Sequence, residues 1–217
     1  KQIATRFKNY DEHLVFESMN EEFDGTYGNP SSSAYANLNA YNQIFVDTVR
    51  QTGGNNDMRW LLIPGWNTNI NYTADDYGFE LPTDNYLSSK IGSGEKRIMV
   101  SVHYYDPYDF TLNEQGTSTW GSSEEIAYLK SQMQKISAFA SSLNMPVIIG
   151  EYGAIDKDNF DYRFNYLSTF NMEAANHGIV TAYWDNGFTG IYGFALFDRE
   201  TNSVTESGET IISAIMG

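Results

Sequence analysis

The sequence predicts an α/β fold in which helices cover a parallel sheet. Short apolar runs rich in β-branched and aromatic residues recur along the chain, and each is too short for a helix. Longer stretches between them repeat apolar residues with the helical period. The short runs are almost continuously apolar, which is typical of strands buried on both faces. The alternation of the two patterns predicts consecutive βα units.

The predicted elements follow one another in a regular order. Strands are predicted at residues 13–16, 60–63, 98–102, 147–149 and 179–183. Helices are predicted over residues 34–52, 123–143, 159–177 and 207–216. Gly53 and Gly54 supply a stop for the first of these helices. Ser122 or Ser123 supplies a cap for the second, with two glutamates in its first turn.

The connections narrow the fold class. The segments after the strands are long and aromatic, while those leading into strands are short, an asymmetry that suits a TIM (β/α)8 barrel. A doubly wound sheet is the alternative, but no glycine-rich dinucleotide fingerprint follows any strand. The chain supplies about five of the eight βα units of a barrel. We therefore expect residues 1–217 to be the C-terminal part of a longer domain whose first three units are absent from this chain.

The composition excludes several classes of function. A net charge of −15 repels nucleic acid and anionic membrane surfaces, and no apolar run is long enough to cross a bilayer. The absence of cysteine excludes disulfides, thiolate metal sites and cysteine nucleophiles. Sixteen tyrosines, thirteen phenylalanines and four tryptophans exceed ordinary usage. Most such rings fill cores, but rings beside polar turn residues can stack on sugars.

Glutamates stand at the ends of two predicted strands. The first strand runs into Phe-Glu-Ser-Met-Asn-Glu-Glu, ending at Glu21 and Glu22, and the fourth runs into Gly-Glu-Tyr, with Glu151 at its centre. Two carboxyl groups converging on one bond can hydrolyse a glycoside: one donates a proton to the leaving oxygen and the other attacks the sugar carbon. The alternative is that each glutamate is a solvated loop acid.

A histidine and a tyrosine end the third predicted strand. His103 and Tyr105 are two residues apart and share one face of the strand, so both can reach the strand end. A tyrosine hydroxyl that donates to a carboxylate would hold it in place and keep it ionised. A core histidine with a satisfied partner is the alternative. No metal site is predicted, because the three histidines lie at different kinds of position and no HExxH spacing occurs.

Three tryptophans belong to segments that follow predicted strands. Trp184, after the fifth strand, could form the floor under a sugar ring, with Asn186 beside it. Trp66 and Trp120 are flanked by small or polar residues, unlike core tryptophans. An isolated surface tryptophan suggests binding, so all three are candidates for contact with a carbohydrate.

These stretches together resemble the C-terminal part of the catalytic domain of glycoside hydrolase family 5, a family of clan A. The resemblance is strongest to the subfamily 4 group of endo-β-1,4-glucanases and xyloglucanases. The matching stretches, in family order, are HLVFESMNEE (13–22), RWLLIPGWNTN (59–69), RIMVSVHYYDPYDFT (97–111), MPVIIGEYGA (145–154) and TAYWDNG (181–187).

The resemblance implies roles for the candidate residues. Glu21 would be the acid/base and Glu151 the nucleophile of a retaining mechanism. Asn20 would hold the sugar 2-hydroxyl, Tyr105 would orient Glu151 with His103 beside it, and Trp184 would stack at the reacting subsite. Two features depart from the family: Glu22 stands where a proline is usual, and an arginine and a histidine from earlier strands have no counterpart here.

Several functions are compatible with these features. The resemblance implies an endo-β-1,4-glucanase acting on cellulose-like, mixed-linkage or xyloglucan chains, with a mannanase or xylanase as neighbouring enzymes on the same scaffold. The alternatives are a sugar-binding chain without catalysis and a truncated inactive fragment that needs an N-terminal partner segment or a swapped oligomer. No cofactor is expected, because two carboxyl groups suffice for the chemistry. A polymeric substrate implies a secreted or cell-surface protein.

Overall fold

The computed structural model describes residues 1–25 and 27–216, in which helices and strands alternate. The strands are β1 (Phe16–Glu17), β2 (Leu61–Asn69), β3 (Ile98–Tyr104), β4 (Val147–Tyr152), β5 (Val180–Tyr183), β6 (Phe197–Asp198) and β7 (Ser203–Val204). The helices are α1 (Gln2–Phe7), α2 (Ser32–Arg50), α3 (Ile70–Ala74), α4 (Tyr108–Thr111), α5 (Ser123–Ser142), α6 (Phe160–Asn176) and α7 (Gly208–Met216). A short 3-10 turn covers Gly54–Asp57.

Strands β1 to β5 form one sheet, and their order in the sheet, β1-β2-β3-β4-β5, is also their order along the chain. β1 pairs with β2 in parallel, and β4 pairs with β5 in parallel. Sequential parallel strands joined through helices are the arrangement of consecutive βα units in a (β/α)8 barrel. The predicted fold class is therefore confirmed, and β6 and β7 form a separate hairpin that the sequence patterns did not predict.

The predicted strands and long helices are confirmed to within a few residues, except that β2 extends six residues further than predicted. Ser122 is the cap of α5, since its hydroxyl accepts from the Glu125 backbone N–H and Glu125 in turn accepts from the Ser122 N–H. The short helices α3 and α4 were missed, because four or five residues carry no readable helical period. Over the described residues, none of the helices has the length and apolar character needed to cross a membrane.

The chain divides into two compact units. The first comprises Lys1–Val102 with Phe139–Val147, and the second comprises His103–Ala138 with the chain from Ile148 onward. In the first unit, Tyr35 and Leu38 of α2 pack with Trp66 of β2 as the centre of a core cluster.

The burial of Trp66 corrects a prediction. Its side chain is 5 % exposed and its ring lies 6.1 Å from that of Tyr35, so the expectation of a surface ring is wrong, and a contact of Trp66 with a carbohydrate stays a prediction. The glycine before it, Gly65, is explained by close packing, because a Cβ at this position would lie 2.2 Å from Oγ1 of Thr73. Gly65 is thus required by the close approach of α3 to β2, and not by solvent exposure.

Two buried arginines organise the first unit at the start of β2. The Arg59 guanidinium donates to the backbone carbonyls of Tyr10 and Asp11, each at 2.7 Å, and to the carbonyl of Leu14. Arg50 is ion-paired with Asp84 at 2.8 Å. Each guanidinium has several donors in a rigid fork, so one side chain can hold several chain segments at once.

The second unit is built around stacked aromatic rings. Tyr152 of β4 stacks on Phe170 of α6 with ring centroids 4.1 Å apart, and Tyr166 lies one turn away on the same helix. Trp120 packs edge-on against Tyr166 at 5.2 Å and is 5 % exposed. The expectation that Trp120 is a surface ring is therefore also wrong, and its contact with a carbohydrate stays a prediction. The loop that carries Trp120 is anchored by a hydrogen bond from Lys157 Nζ to the carbonyl of Thr117.

Candidate active site

The candidate residues lie where strands of the sheet end. In the first unit, Asn20 and Glu21 follow β1, whereas in the second unit Glu151 lies within β4 and Trp184 follows β5 directly. His103 is the penultimate residue of β3, and Tyr105 follows that strand. In barrels of this kind the carboxyl ends of the strands carry the active-site residues.

The backbone at Glu21 is unusual. Glu21 has a φ of +46°, in the left-handed region that residues with a side chain seldom adopt. Two further residues with left-handed backbone, Asn67 and Thr68, lie near the end of β2 in the same unit. The Asn67 N–H donates to the Glu22 carbonyl at 2.9 Å, which joins the two segments. Each such residue costs of order 1–3 kcal/mol, so the surrounding structure must hold it in place.

A third glutamate of the first unit has a partner that sequence reasoning missed. Ser101 of β3 donates from its hydroxyl to Oε1 of Glu17 in β1 at 2.5 Å, and Ser101 is fully buried. The residues are 84 positions apart, and neither lies in a local pattern that indicates the other. Glu17 is thereby committed to a contact within the sheet. Its hydrogen bond spans β1 and β3.

In the second unit, Glu151 is surrounded by donors. The Tyr105 hydroxyl donates to its Oε2 at 3.0 Å, and Nδ1 of His103 lies 3.6 Å from the same oxygen. The Glu151 side chain is 18 % exposed and that of His103 is 5 % exposed. A hydroxyl donor favours the ionised form of a carboxylate, and a protonated His103 would add an opposite charge. The predicted grouping of His103, Tyr105 and Glu151 is thus present.

Tyr105 is itself held in position. Its backbone carbonyl accepts from the Thr111 hydroxyl, and its ring meets that of Phe194 edge-on at 6.3 Å. The Ile155 N–H donates to the Thr111 carbonyl at 3.0 Å, which ties the segment after β4 to the segment after β3. These contacts fix the tyrosine before any ligand binds, so it can orient Glu151 without rearrangement.

Two neighbours of the His103–Tyr105 pair are buried titratable groups. Burial raises the pKa of the Asp106 carboxyl above its ordinary value, although the Tyr128 hydroxyl donates to Oδ2 at 3.2 Å and works in the other direction. Burial also raises the pKa of Tyr104 far above its ordinary value, so this phenol stays neutral. The end of β3 therefore places His103 and Tyr105 beside Glu151, while the phenol of Tyr104 is buried behind them.

Trp184 is the candidate tryptophan that remains open. Its side chain is 43 % exposed, and its backbone N–H donates to the Tyr152 carbonyl at 2.9 Å. The loop beyond it is shaped by Asn186, whose Oδ1 accepts from the N–H groups of Phe188 and Phe194 at 2.9 and 3.2 Å. Trp184 thus stands on a rigid loop. The Asn186 carbonyl oxygen is used within that loop, and a contact of this residue with substrate stays a prediction.

The groups around Glu151 are a phenol and an imidazole, which suit hydrogen bonding to a carboxylate. The arrangement in the second unit can therefore present an ionised, oriented carboxylate to a ligand that stacks on Trp184.

Comparison with known proteins gives a family for this arrangement. The cellulase family, glycosyl hydrolase family 5, matches residues 1–190. The chain is 52 % identical over 235 residues to Endoglucanase A of Paenibacillus barcinonensis, an alignment that covers 100 % of this chain and 58 % of that protein. The chain thus spans less than two thirds of the length of that relative.

Solved structures agree with the sequence match. A family 5 xyloglucanase from Paenibacillus pabuli in complex with ligand has a TM-score of 0.93 at 53 % identity, over 99 % of this chain and 64 % of that one. A GH5-4 broad specificity endoglucanase from Ruminococcus champanellensis with bound cellotriose has a TM-score of 0.84 at 34 % identity, over 100 % of this chain and 61 % of that one. The resemblance to subfamily 4 is therefore confirmed.

Proposed function

Because the chain belongs to the cellulase family, glycoside hydrolase family 5, we propose that the protein containing it is a retaining endo-β-1,4-glucanase. Its substrates are β-1,4-linked glucans of the cellulose, mixed-linkage or xyloglucan type. The similar proteins are named as an endoglucanase and a xyloglucanase, which supports this class. The protein acts outside the cell or at its surface, because a polymeric glucan does not enter the cytoplasm intact.

The observation that carries the proposal is the hydrogen bond from Tyr105 to Glu151. An oriented and ionised carboxylate at a strand end is what a glycosidase nucleophile requires. In the first step, a Glu151 oxygen attacks the anomeric carbon while the glycosidic carbon–oxygen bond breaks. Glu21, in its protonated form, gives its proton to the departing sugar oxygen. A covalent glycosyl–enzyme ester on Glu151 results.

The second step returns both residues to their starting states. Glu21, now a carboxylate, takes a proton from a water molecule, whose oxygen attacks the anomeric carbon and displaces Glu151. The anomeric configuration is retained after two inversions. In a retaining enzyme the two carboxyl groups lie about 5–5.5 Å apart, and this separation is expected in the complete active protein. Trp184 supports the reacting sugar ring, Asn20 binds its 2-hydroxyl, and Asn186 contacts the substrate beside them.

The same protein is proposed to contain further βα units beside β1. β1 lies at the edge of the sheet, and a groove of about 350 Å³ next to it is lined by Ile3, Phe16, Tyr41 and Ile44 among others. Ile3 and Ile44 are 67 % and 60 % exposed. The similar proteins are longer than this chain, which supports the proposal that a strand on β1 and a helix on this apolar groove complete the domain.

Three measurements on the protein containing this chain test the proposal. A 2-deoxy-2-fluoro cellobioside with an activated leaving group should label Glu151, and peptide mass spectrometry identifies the labelled residue. Glu151→Gln should abolish turnover and leave cello-oligosaccharide binding intact. Proton NMR of the first product should show the β-anomer. Labelling of a different residue, or an α-anomer as the first product, would overturn the mechanism. If Glu151→Gln turns over substrate as fast as the wild type, Glu151 is not the nucleophile.

A matched pair tests the acid. Glu21→Ala should reduce kcat/KM for cellotetraose strongly while sparing an aryl cellobioside with a dinitrophenolate leaving group, which departs without a proton. Glu22→Ala changes the adjacent exposed glutamate and should leave both values near those of the wild type. If Glu22→Ala shows the selective loss and Glu21→Ala does not, the acid is Glu22.

A further inference from the structure

Three residues with side chains adopt left-handed backbone at one edge of the first unit. They are Glu21 with φ +46°, Asn67 with φ +50° and Thr68 with φ +48°. Asn visits this region more readily than most residues, but a β-branched threonine does so rarely. Unfavourable backbone of this kind persists only where the surrounding contacts determine it, and it concentrates at functional sites.

A backbone hydrogen bond connects the two strained segments. The Asn67 N–H donates to the Glu22 carbonyl at 2.9 Å. That carbonyl belongs to the residue immediately after Glu21, so the bond restricts rotation of the chain that carries the Glu21 side chain. The direction of the Asn67 N–H relative to the residues that follow it depends on the φ of Asn67, because φ is the rotation about its own N–Cα bond.

The turn at Asn67 is rigidly supported on both sides. Before it, the Trp66 N–H donates to the Tyr35 hydroxyl at 3.3 Å, and that hydroxyl donates to the Tyr72 carbonyl at 2.7 Å. Burial raises the pKa of Tyr35 to about 12, so the phenol keeps its proton. Beyond the turn, Thr68 is fully buried, and Oδ1 of Asn69 caps α3 by accepting from the Asn71 N–H at 2.9 Å. These contacts act as a fixed base for the bond to Glu22.

We propose that Asn67 is a positioning residue for the acid/base: its left-handed backbone aims its N–H at Glu22 and so fixes the orientation of Glu21. The inference rests on the role of Glu21 in the proposed function. An asparagine or glycine at position 67 serves this purpose, and a β-branched residue does not, because its Cβ substituents disfavour positive φ.

The test compares two substrates in the protein containing this chain. Cellotetraose needs a proton on its leaving group, whereas 2,4-dinitrophenyl β-cellobioside does not, so the ratio of their kcat/KM values reports the acid alone. This ratio is independent of the folded fraction, because the same enzyme sample is used for both. General acid catalysis contributes about 10²- to 10⁴-fold. Asn67→Val should lower the cellotetraose to dinitrophenyl ratio about tenfold or more, and Asn67→Gly should leave it within about twofold.

Asn144 provides a matched control. It also has a left-handed backbone, with φ +51°, but lies in the turn just before β4, at the opposite end of the strands. Asn144→Val should destabilise the fold through the same strain and leave the ratio unchanged. Asn67→Ala carries less strain and replaces the valine variant if the latter does not fold.

Three outcomes would overturn the inference. If Glu21→Ala lowers the ratio and neither Asn67→Val nor Asn67→Ala does, Asn67 does not position the acid and the proposed function stands. If Glu21→Ala leaves the ratio unchanged, the acid assignment fails and the role of Asn67 fails with it. An equal fall in the ratio for Asn144→Val would show a general effect of strain, which likewise contradicts the specific role.

Discussion

The Tyr105 hydroxyl donates a hydrogen bond to Oε2 of Glu151 at 3.0 Å, across 46 positions of the chain. The donor is fixed by its ring contact with Phe194 and by the Thr111 hydroxyl on its carbonyl. A hydrogen bond to a charged group is worth more than one between neutral groups. This contact therefore orients the proposed nucleophile.

Removal of that hydroxyl should impair catalysis with little effect on stability. Tyr105→Phe is expected to lower kcat/KM for cellotetraose about 10- to 100-fold, because a hydrogen bond to a charged group contributes about 1.5–3 kcal/mol. Tyr10→Phe is the control, since Tyr10 is 56 % exposed and precedes β1. Steady-state kinetics and thermal unfolding of both variants give the answer. Wild-type kinetics for Tyr105→Phe would show that the contact is structural only.

Trp184 and Trp120 should respond differently to alanine. Trp184→Ala is expected to weaken cellotetraose binding about tenfold, because the 43 % exposed ring is lost as a stacking surface, with little change in melting temperature. Trp120→Ala should destabilise the fold by about 3–5 kcal/mol, because it leaves a cavity against Tyr166. Calorimetric titration and urea unfolding measure the two effects. A large stability loss for Trp184→Ala would place its ring in the core.

Arg59 should be one of the most sensitive positions for stability. Arg59→Met keeps the apolar stem but leaves the carbonyls of Tyr10, Asp11 and Leu14 without their charged donor. A loss of about 3 kcal/mol or more in the free energy of unfolding is expected, because charged hydrogen bonds contribute about 1.5–3 kcal/mol each. Arg6→Met, at an exposed position of α1, is the control. Urea unfolding curves that coincide for the two variants would contradict the expectation.

Asp106 should make the protein less stable as pH rises, which is the reverse of the usual effect of a carboxyl group. Burial raises its pKa in the folded state above the ordinary value of 3.8, so the folded state holds its proton more tightly than the unfolded state does. The contribution of this group to stability is therefore lost as pH rises from that value through the raised folded pKa. Asp106→Asn should remove this fall and raise stability near neutral pH relative to the wild type.

Asp198 provides the opposite case. Hydrogen bonds from the Glu200 N–H and from Thr201 lower its pKa, so its contribution is present above the ordinary value and is lost as pH falls through the lowered folded pKa. Asp198→Asn should therefore lower stability at pH values above the ordinary pKa of 3.8 and have little effect in stronger acid, where the wild-type contribution is already lost. Thermal unfolding at a series of pH values separates the two variants. Identical pH profiles for both would contradict the assigned directions.

The local patterns of the sequence predicted the positions of most strands and helices. The five strands lie within a few residues of the predicted runs, and α2, α5, α6 and α7 follow the predicted helices, because burial imposes a short-range periodicity on each element. The grouping of His103 and Tyr105 with Glu151 also followed from the sequence. Parallel strands place their carboxyl ends at one edge, so residues at strand ends become neighbours even when they are far apart in sequence.

The sequence by itself determined the order of the βα units, the family and the identity of the candidate carboxyl groups. Only the tertiary structure decided that Trp66 and Trp120 are buried, since their small neighbours serve close packing and loop anchoring. It alone showed the bond from Ser101 to Glu17 and the left-handed Asn67 that holds the Glu22 carbonyl. These features depend on contacts between distant segments, and local periodicity contains no record of which distant segments meet.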